Sequence, residues 1–157
     1  MEGALKAMMA RHASAGRVAW IGLRPGRREP MSAVLSCELD EAGLKGDHGR
    51  AGKRAVTLLQ AEHVAVIASL TRRAFDVSDL RRNILVSGIN LNAIKGTAIR
   101  VGSAELELTG PCHPCSRMEE VLGPGGYNAM RGHGGMCARV LKAGSIREGD
   151  VVEPCGD

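Results

Sequence analysis

The sequence predicts a mainly β, barrel-like domain that carries a few short helices. Three observations predict it. Short apolar stretches of strand character recur along the chain, each closed by a turn signal. Glycine is abundant, with 21 residues, and dispersed rather than gathered into a repeat. The clearest helical period is confined to Ala61–Leu70. The 157 residues suit one domain with a core large enough to fold without disulfides or a structural metal.

The elements follow in order. Residues 1–15 read as a short helix or flexible arm, and residues 16–157 as the domain proper. Arg17–Leu23 (RVAWIGL) is a predicted strand, and Arg24–Pro30 is a turn-rich loop. Met31–Leu39 reads as a second strand, and Gly43–Lys53 as a glycine-rich, charged loop. Ala55–Gln60 (AVTLLQ) is a third strand. In the helix after it, Val64, Ile67 and Ala68 fall at helical spacing. Ser78–Arg82 is a short helical turn and Ile84–Ser87 a strand ended by Gly88. Ala98–Val101 and Glu105–Thr109 flank Gly102-Ser103 as a β-hairpin. Ser116–Leu122 is a short helix, and the S-x-x-E spacing of Ser116 and Glu119 predicts a capping box. Gly123–Gly126 breaks that helix, and Tyr127–Arg131 is another helical turn. Cys137–Leu141 and Asp150–Glu153 are the last strands, with Gly144 and Gly149 as turn residues.

Composition narrows the function. Hydrophobic residues make up 44% of the chain and charged ones 24%, as in an ordinary globular protein. Aromatic residues make up 2%, namely Trp20, Phe75 and Tyr127, so the core is built from Val, Ile, Leu, Ala and Met. So few aromatics argue against single-stranded nucleic acid, whose binders stack bases on aromatic rings. The net charge of +4 and pI of about 9.0 fit an anionic small molecule, or a plain solvated basic surface. No run approaches the ~20 apolar residues that span a bilayer. No nucleic-acid or membrane partner is expected. Five cysteines, an odd number, and the lack of a signal-peptide pattern predict free thiols in a reducing, cytoplasmic setting.

Thr109–Glu120 (TGPCHPCSRMEE) is the most informative segment. Cys112 and Cys115 form a C-x-x-C pair, and a thiolate there serves as a nucleophile, metal ligand or sulfur carrier. Cys115 stands just before the predicted helix start, and Arg117 adds a nearby positive charge. Three other readings of the pair stand beside this one. It is half of a zinc site, though no second pair lies at zinc spacing. It is a thiol–disulfide motif, though the βαβ context is missing. Or it is two small cysteines buried at a strand end.

Gly46–Arg54 (GDHGRAGKR) carries Asp47, His48, Arg50, Lys53 and Arg54 among glycines. Such a loop either offers N–H groups and cations to a phosphate or is a solvated basic loop. It lacks P-loop spacing. Arg82 and Asn83 precede a strand, where Asn83 either meets a heterocycle or orders the turn. Asn128, Arg131 and His133 lie in a glycine-rich segment of the kind that lines cavities.

Taken in order, five segments resemble the MOSC domain family. They are Gly46–His63, Arg81–Leu91 (RRNILVSGINL), Thr109–Glu119, Gly125–Gly135 (GGYNAMRGHGG) and Ser145–Val152 (SIREGDVV). The resemblance runs from about Gly16 to Glu153. It implies a MOSC-type β-barrel-like fold. It also implies a cysteine that carries sulfur or ligates molybdenum in a pterin cofactor. Cys115 fits that role, in the family-like P-C-x-[RK] setting Pro114-Cys115-Ser116-Arg117, with Cys112 the second candidate for the catalytic thiol. The implied cofactor contacts are the Gly46–Arg54 loop with Asp47, His48, Lys53 and Arg54, whose cations and N–H donors would meet the phosphate together with Arg81, Arg82, Arg117 and Arg131, and Asn83, Asn128 and His133 for the pterin edge. Relatives transfer sulfur or reduce N-hydroxylated compounds, so an electron-donor or sulfur-donor protein is the expected partner. A non-catalytic persulfide carrier and a C-x-x-C redox module are the alternatives. No pyridoxal phosphate is expected, because the sequence holds no counterpart of the desulfurase domain that precedes MOSC in full-length sulfurases.

Overall fold

A computed structural model describes residues 2–156. Met1 and Asp157, included in the expected arm and domain, lie outside the described residues. The elements in order are α1 (Glu2–Met9), β1 (Gly16–Leu23), β2 (Ser32–Val34), β3 (Ser36–Asp40), β4 (Gly43–Leu44), β5 (Val56–Gln60) and α2 (Ala61–Thr71). They continue with β6 (Ile84–Ser87), β7 (Ala98–Val101), β8 (Ala104–Pro111), α3 (Arg117–Leu122), α4 (Gly126–Met130), β9 (Met136–Lys142), β10 (Gly144–Arg147) and β11 (Val151–Pro154). Short 3-10 turns cover Val77–Leu80 and Leu91–Ala93.

Seven strands close into a barrel. Their order is β11-β7-β8-β9-β5-β6-β1, and β1 returns to pair with β11 through Gly16 opposite Val152. Closure leaves these strands without the unpaired edges that invite aggregation. All the neighbouring pairs are antiparallel except β5 and β6. A parallel pair needs a crossover, and α2 supplies it. β2 extends from the far end of β1, while β10, β3 and β4 form a separate small sheet.

Alternation explains the core. Along β8, Ala104, Leu106 and Leu108 are buried, with Glu105 and Glu107 between them. Leu106 and Leu108 join Val18, Ile21, Val56 and Leu58 in the main cluster. β5 is buried along its whole length because both its faces are covered. Val56 and Leu58 belong to the main cluster, while Leu59 packs with Ile67, Leu80, Met118, Leu122 and Met130 in a second one. The helices α2, α3 and α4 thus sit on one outer flank of the barrel, beside β5.

Three expectations need correction. Met31–Leu39 is not one strand: Ser32–Val34 pairs with β1 and Ser36–Asp40 with β10. The chain changes partner at Leu35, which is 75% exposed. Gly144 is not a turn residue but the first of β10. The capping box does not form, because Ser116 has helical φ/ψ and makes no side-chain cap bond. Glu119 instead accepts from the backbone N–H groups of Gly125 (3.2 Å) and Tyr127 (3.0 Å) at the start of α4.

Candidate functional site

The C-x-x-C segment leaves the barrel at the end of β8. The Cys112 N–H donates to the Gly135 carbonyl at 2.8 Å, which carries the β8–β9 pairing past the strand end. Two glycines permit this approach. A side chain on Gly134 would strike the Cys112 carbonyl, and one on Gly135 (φ +85°) would strike the Leu58 carbonyl. Cys112 is half-buried and lines a cleft of about 890 Å³ with His113, Pro114, Asn92, Asn128 and Arg131. Cys115 is exposed on the loop just beyond, and its carbonyl accepts from the Met118 N–H at the start of α3. Both thiols are free.

Cys112 stands in an unusual electrostatic setting. A hydrogen bond from the Cys137 thiol pulls its pKa down, and the charges of Arg82, Arg24 and Arg54 pull the same way. They outweigh burial, and the thiol falls to about 6. The same bond, with burial, pushes Cys137 up. At neutral pH Cys112 is therefore the thiolate of the pair, and Cys137 keeps the proton.

Behind it lies a buried polar knot. The Asp47 carboxylate accepts from the Arg24 backbone N–H (2.7 Å), its Nε (3.1 Å) and its Nη2 (3.0 Å). It also accepts from Asn83 Nδ2 (3.0 Å) and the Gly49 N–H (2.9 Å). Asn83 Oδ1 takes the Thr57 N–H and hydroxyl, each at 3.1 Å, and Nδ2 donates to the Gly22 carbonyl. Burial works to raise the Asp47 carboxyl, but Arg24 outweighs it and holds it below its usual range. Asp47 and Asn83 were expected to touch a cofactor. Their polar atoms are instead consumed internally, and they orient Arg24.

The other expected residues divide. Arg82 donates from Nε to the Gly134 carbonyl at 2.7 Å, which fixes its guanidinium near Cys112. Arg54, Lys53 and His48 are exposed on the Gly46–Arg54 loop, and the Thr109 hydroxyl pins that loop to β8 through the Lys53 carbonyl at 2.6 Å. Arg131 reaches Asn128 Oδ1 at 3.5 Å on the cleft wall. Arg117 lines a different, smaller recess with Arg81. His133 faces His63, with ring centroids 5.0 Å apart, and its Nδ1 meets the Ala129 carbonyl at 2.9 Å. Sequence reasoning missed Arg24 and Cys137. Neither carried a local signal, since one follows a strand and the other is a lone cysteine within one.

The model of the MOSC domain matches residues 45–153. The chain belongs to the MOSC domain family. No curated protein matches this sequence. Among solved structures, the YUAD protein from Bacillus subtilis aligns with a TM-score of 0.78 at 17% identity, over 88% of this chain and 94% of that one. YiiM from Geobacillus stearothermophilus gives 0.76 at 18%, over 90% and 75%. YiiM from Escherichia coli gives 0.72 at 20%, over 90% and 70%. At these identities the likeness establishes the fold.

MOSC domains are generally associated with the molybdenum cofactor. The residues present fit such a group in two respects: thiols suit a soft metal, and Arg54, Arg82 and Arg131 suit a phosphate. Among the described residues, no cluster of three or more Cys, His, Asp or Glu can hold a metal. No helix among the described residues is long and apolar enough to cross a membrane.

Proposed function

We propose that this MOSC domain binds a molybdenum–pterin cofactor beside the Cys112 cleft and handles its sulfur. One observation carries the reading: a thiolate-forming cysteine on a cleft wall, within reach of three arginine charges and three residues from an exposed second thiol. Cys115 is the residue to hold the metal, in its P-C-x-[RK] setting. Arg54, Arg82 and Arg131 are those to hold the phosphate, and Asn128, on the cleft wall, is the residue to meet the pterin edge. When bound, the cofactor supplies a redox-active metal that can carry a sulfur ligand. Cys112 gives the site a nucleophilic sulfur at neutral pH. A sulfur-donor protein is the partner this chemistry calls for. Reduction of N-hydroxylated compounds would call for an electron donor instead. Five free cysteines support a reducing, cytoplasmic setting.

The test is metal and pterin analysis of protein purified gently from a host that makes the cofactor, beside Cys115→Ser. Near-stoichiometric molybdenum and pterin in the wild type, lost in the variant, is the expected result. Equal loading of both proteins removes Cys115 from the site. No molybdenum in either turns the reading toward a persulfide carrier.

A further inference from the structure

His133, which the proposed site does not use, packs against His63 of α2. The ring centroids are 5.0 Å apart and the planes stand at 78°, an edge-to-face pair. Both residues are half-buried. His133 is fixed from its own side. Its backbone N–H donates to the Met130 carbonyl at 2.8 Å, and its Nδ1 meets the Ala129 carbonyl at 2.9 Å. A carbonyl only accepts, so Nδ1 carries the proton. The imidazolium keeps that proton, so this bond survives further protonation. The contact with His63 is the vulnerable one, because two charged rings at this distance repel and burial adds to the cost. His63 is held below the ordinary 6.5, first by burial and then by the charge of His133.

Little nearby offsets the repulsion. Glu62 attracts His63, but its carboxylate already accepts from Gln60 Nε2 at 2.8 Å and the Gly88 N–H at 2.9 Å. The elements packed on α2 are β5, β6 and α4, and none of them carries a charged residue. Glu119 of α3 is taken up by the amides of Gly125 and Tyr127. Arg131 in the turn, and Arg82 bonded to Gly134, add positive charge. The turn that carries His133 also serves the cleft. Arg131 lines it, Gly134 accepts from Arg82 Nε at 2.7 Å, and Gly135 accepts from the Cys112 N–H at 2.8 Å. Gly132, at φ +81° and with open space beside it, gives the turn a hinge.

We propose that His63 and His133 form a pH-sensitive latch, which holds the Arg131–Gly135 turn against α2 while neutral and releases it when both are protonated. An open turn returns His63 to water, where it takes a proton more readily. Opening is therefore favoured as pH falls below 6.5, and the turn stays closed above that value. With the turn go the anchor of the Cys112 amide, the carbonyl that fixes Arg82 and the position of Arg131. A cofactor would then be held near neutrality and let go in acid, a consequence that rests on the cofactor reading above, as the latch itself does not.

The test is site-resolved hydrogen exchange on the full chain, free of metal, at about pH 7.5 and about pH 5.5, on either side of the histidine range. Protection is taken relative to the intrinsic rate at each pH. In the wild type the Cys112 amide is expected to lose protection in acid, roughly tenfold for each unit between the open and closed His63 midpoints. The amides of β5 are expected to stay protected. His63→Gln and His63→Phe cannot take the charge, and are expected to keep the Cys112 amide equally protected at both pH values. The Cys112 thiol titrates in all three proteins, so the difference between them reads the histidines. Equal acid loss in the wild type and these variants overturns the latch, as does the absence of loss in the wild type. Parallel loss at Cys112 and β5 marks global unfolding and overturns it too. Failure of molybdenum loading leaves the result intact, because no metal is used.

Discussion

A thiol that ionises near neutrality reacts where ordinary thiols are still protonated. Cys112 is held at about 6, so its alkylation by iodoacetamide is expected to fall off only as pH drops through that value. Burial raises Cys37, which therefore stays slow over the same range. Cys137→Ala removes the largest lowering influence and moves the Cys112 midpoint upward, while Cys137→Ser retains a donor and moves it less. Site-resolved mass spectrometry reads both. A Cys112 midpoint near the ordinary ~8.5 would leave it an unactivated thiol. This activation was not legible in the sequence. The C-x-x-C spacing drew attention to Cys115, the residue with a charged neighbour along the chain. The partners that matter to Cys112 come from elsewhere: Arg24 after β1, Arg54 before β5, Arg82 before β6 and Cys137 in β9. Asp47 and Asn83 show the reverse. Their polarity suggested a ligand, but their bonding capacity is filled within the protein.

At the level of elements, β1, β5, α2, β6 and the β7–β8 hairpin were legible because each carries its own periodicity. The division at Leu35 was not, since a change of strand partner leaves no mark in local hydrophobicity. The Ser116–Glu119 motif is instructive because its spacing fits a cap that does not form. Glu119 ties α3 to the first amides of α4, the helix that carries Asn128. Glu119→Ala is therefore expected to destabilise the protein more than Ser116→Ala, and to speed hydrogen exchange at the Gly125 and Tyr127 amides. A true capping box would make both substitutions costly and leave those two amides unaffected.

For the whole molecule, the Arg24–Asp47–Asn83 knot ties the end of β1 to the starts of β5 and β6. The Arg24 side chain is 15% exposed and that of Asp47 fully buried, so Asp47→Ala, which strips a largely buried guanidinium of its carboxylate, is expected to cost roughly 3–5 kcal/mol by chemical denaturation. The folded carboxyl lies below its usual 3.8. Its contribution is thus fully present above that value and is lost as pH falls toward the folded pKa. Asp47→Asn should flatten the acid limb of the stability curve, and an unchanged limb would assign acid unfolding to other groups. The barrel closure has a consequence in time rather than space. Gly16 pairs with Val152, so β1 must wait for β11, the last of the described strands, to be synthesised. Until then β1 has only β2 and β6 to hold it, and its remaining edge is open to other chains. Synthesis rate and chaperone access, more than final stability, then govern how much of the nascent protein reaches the closed form.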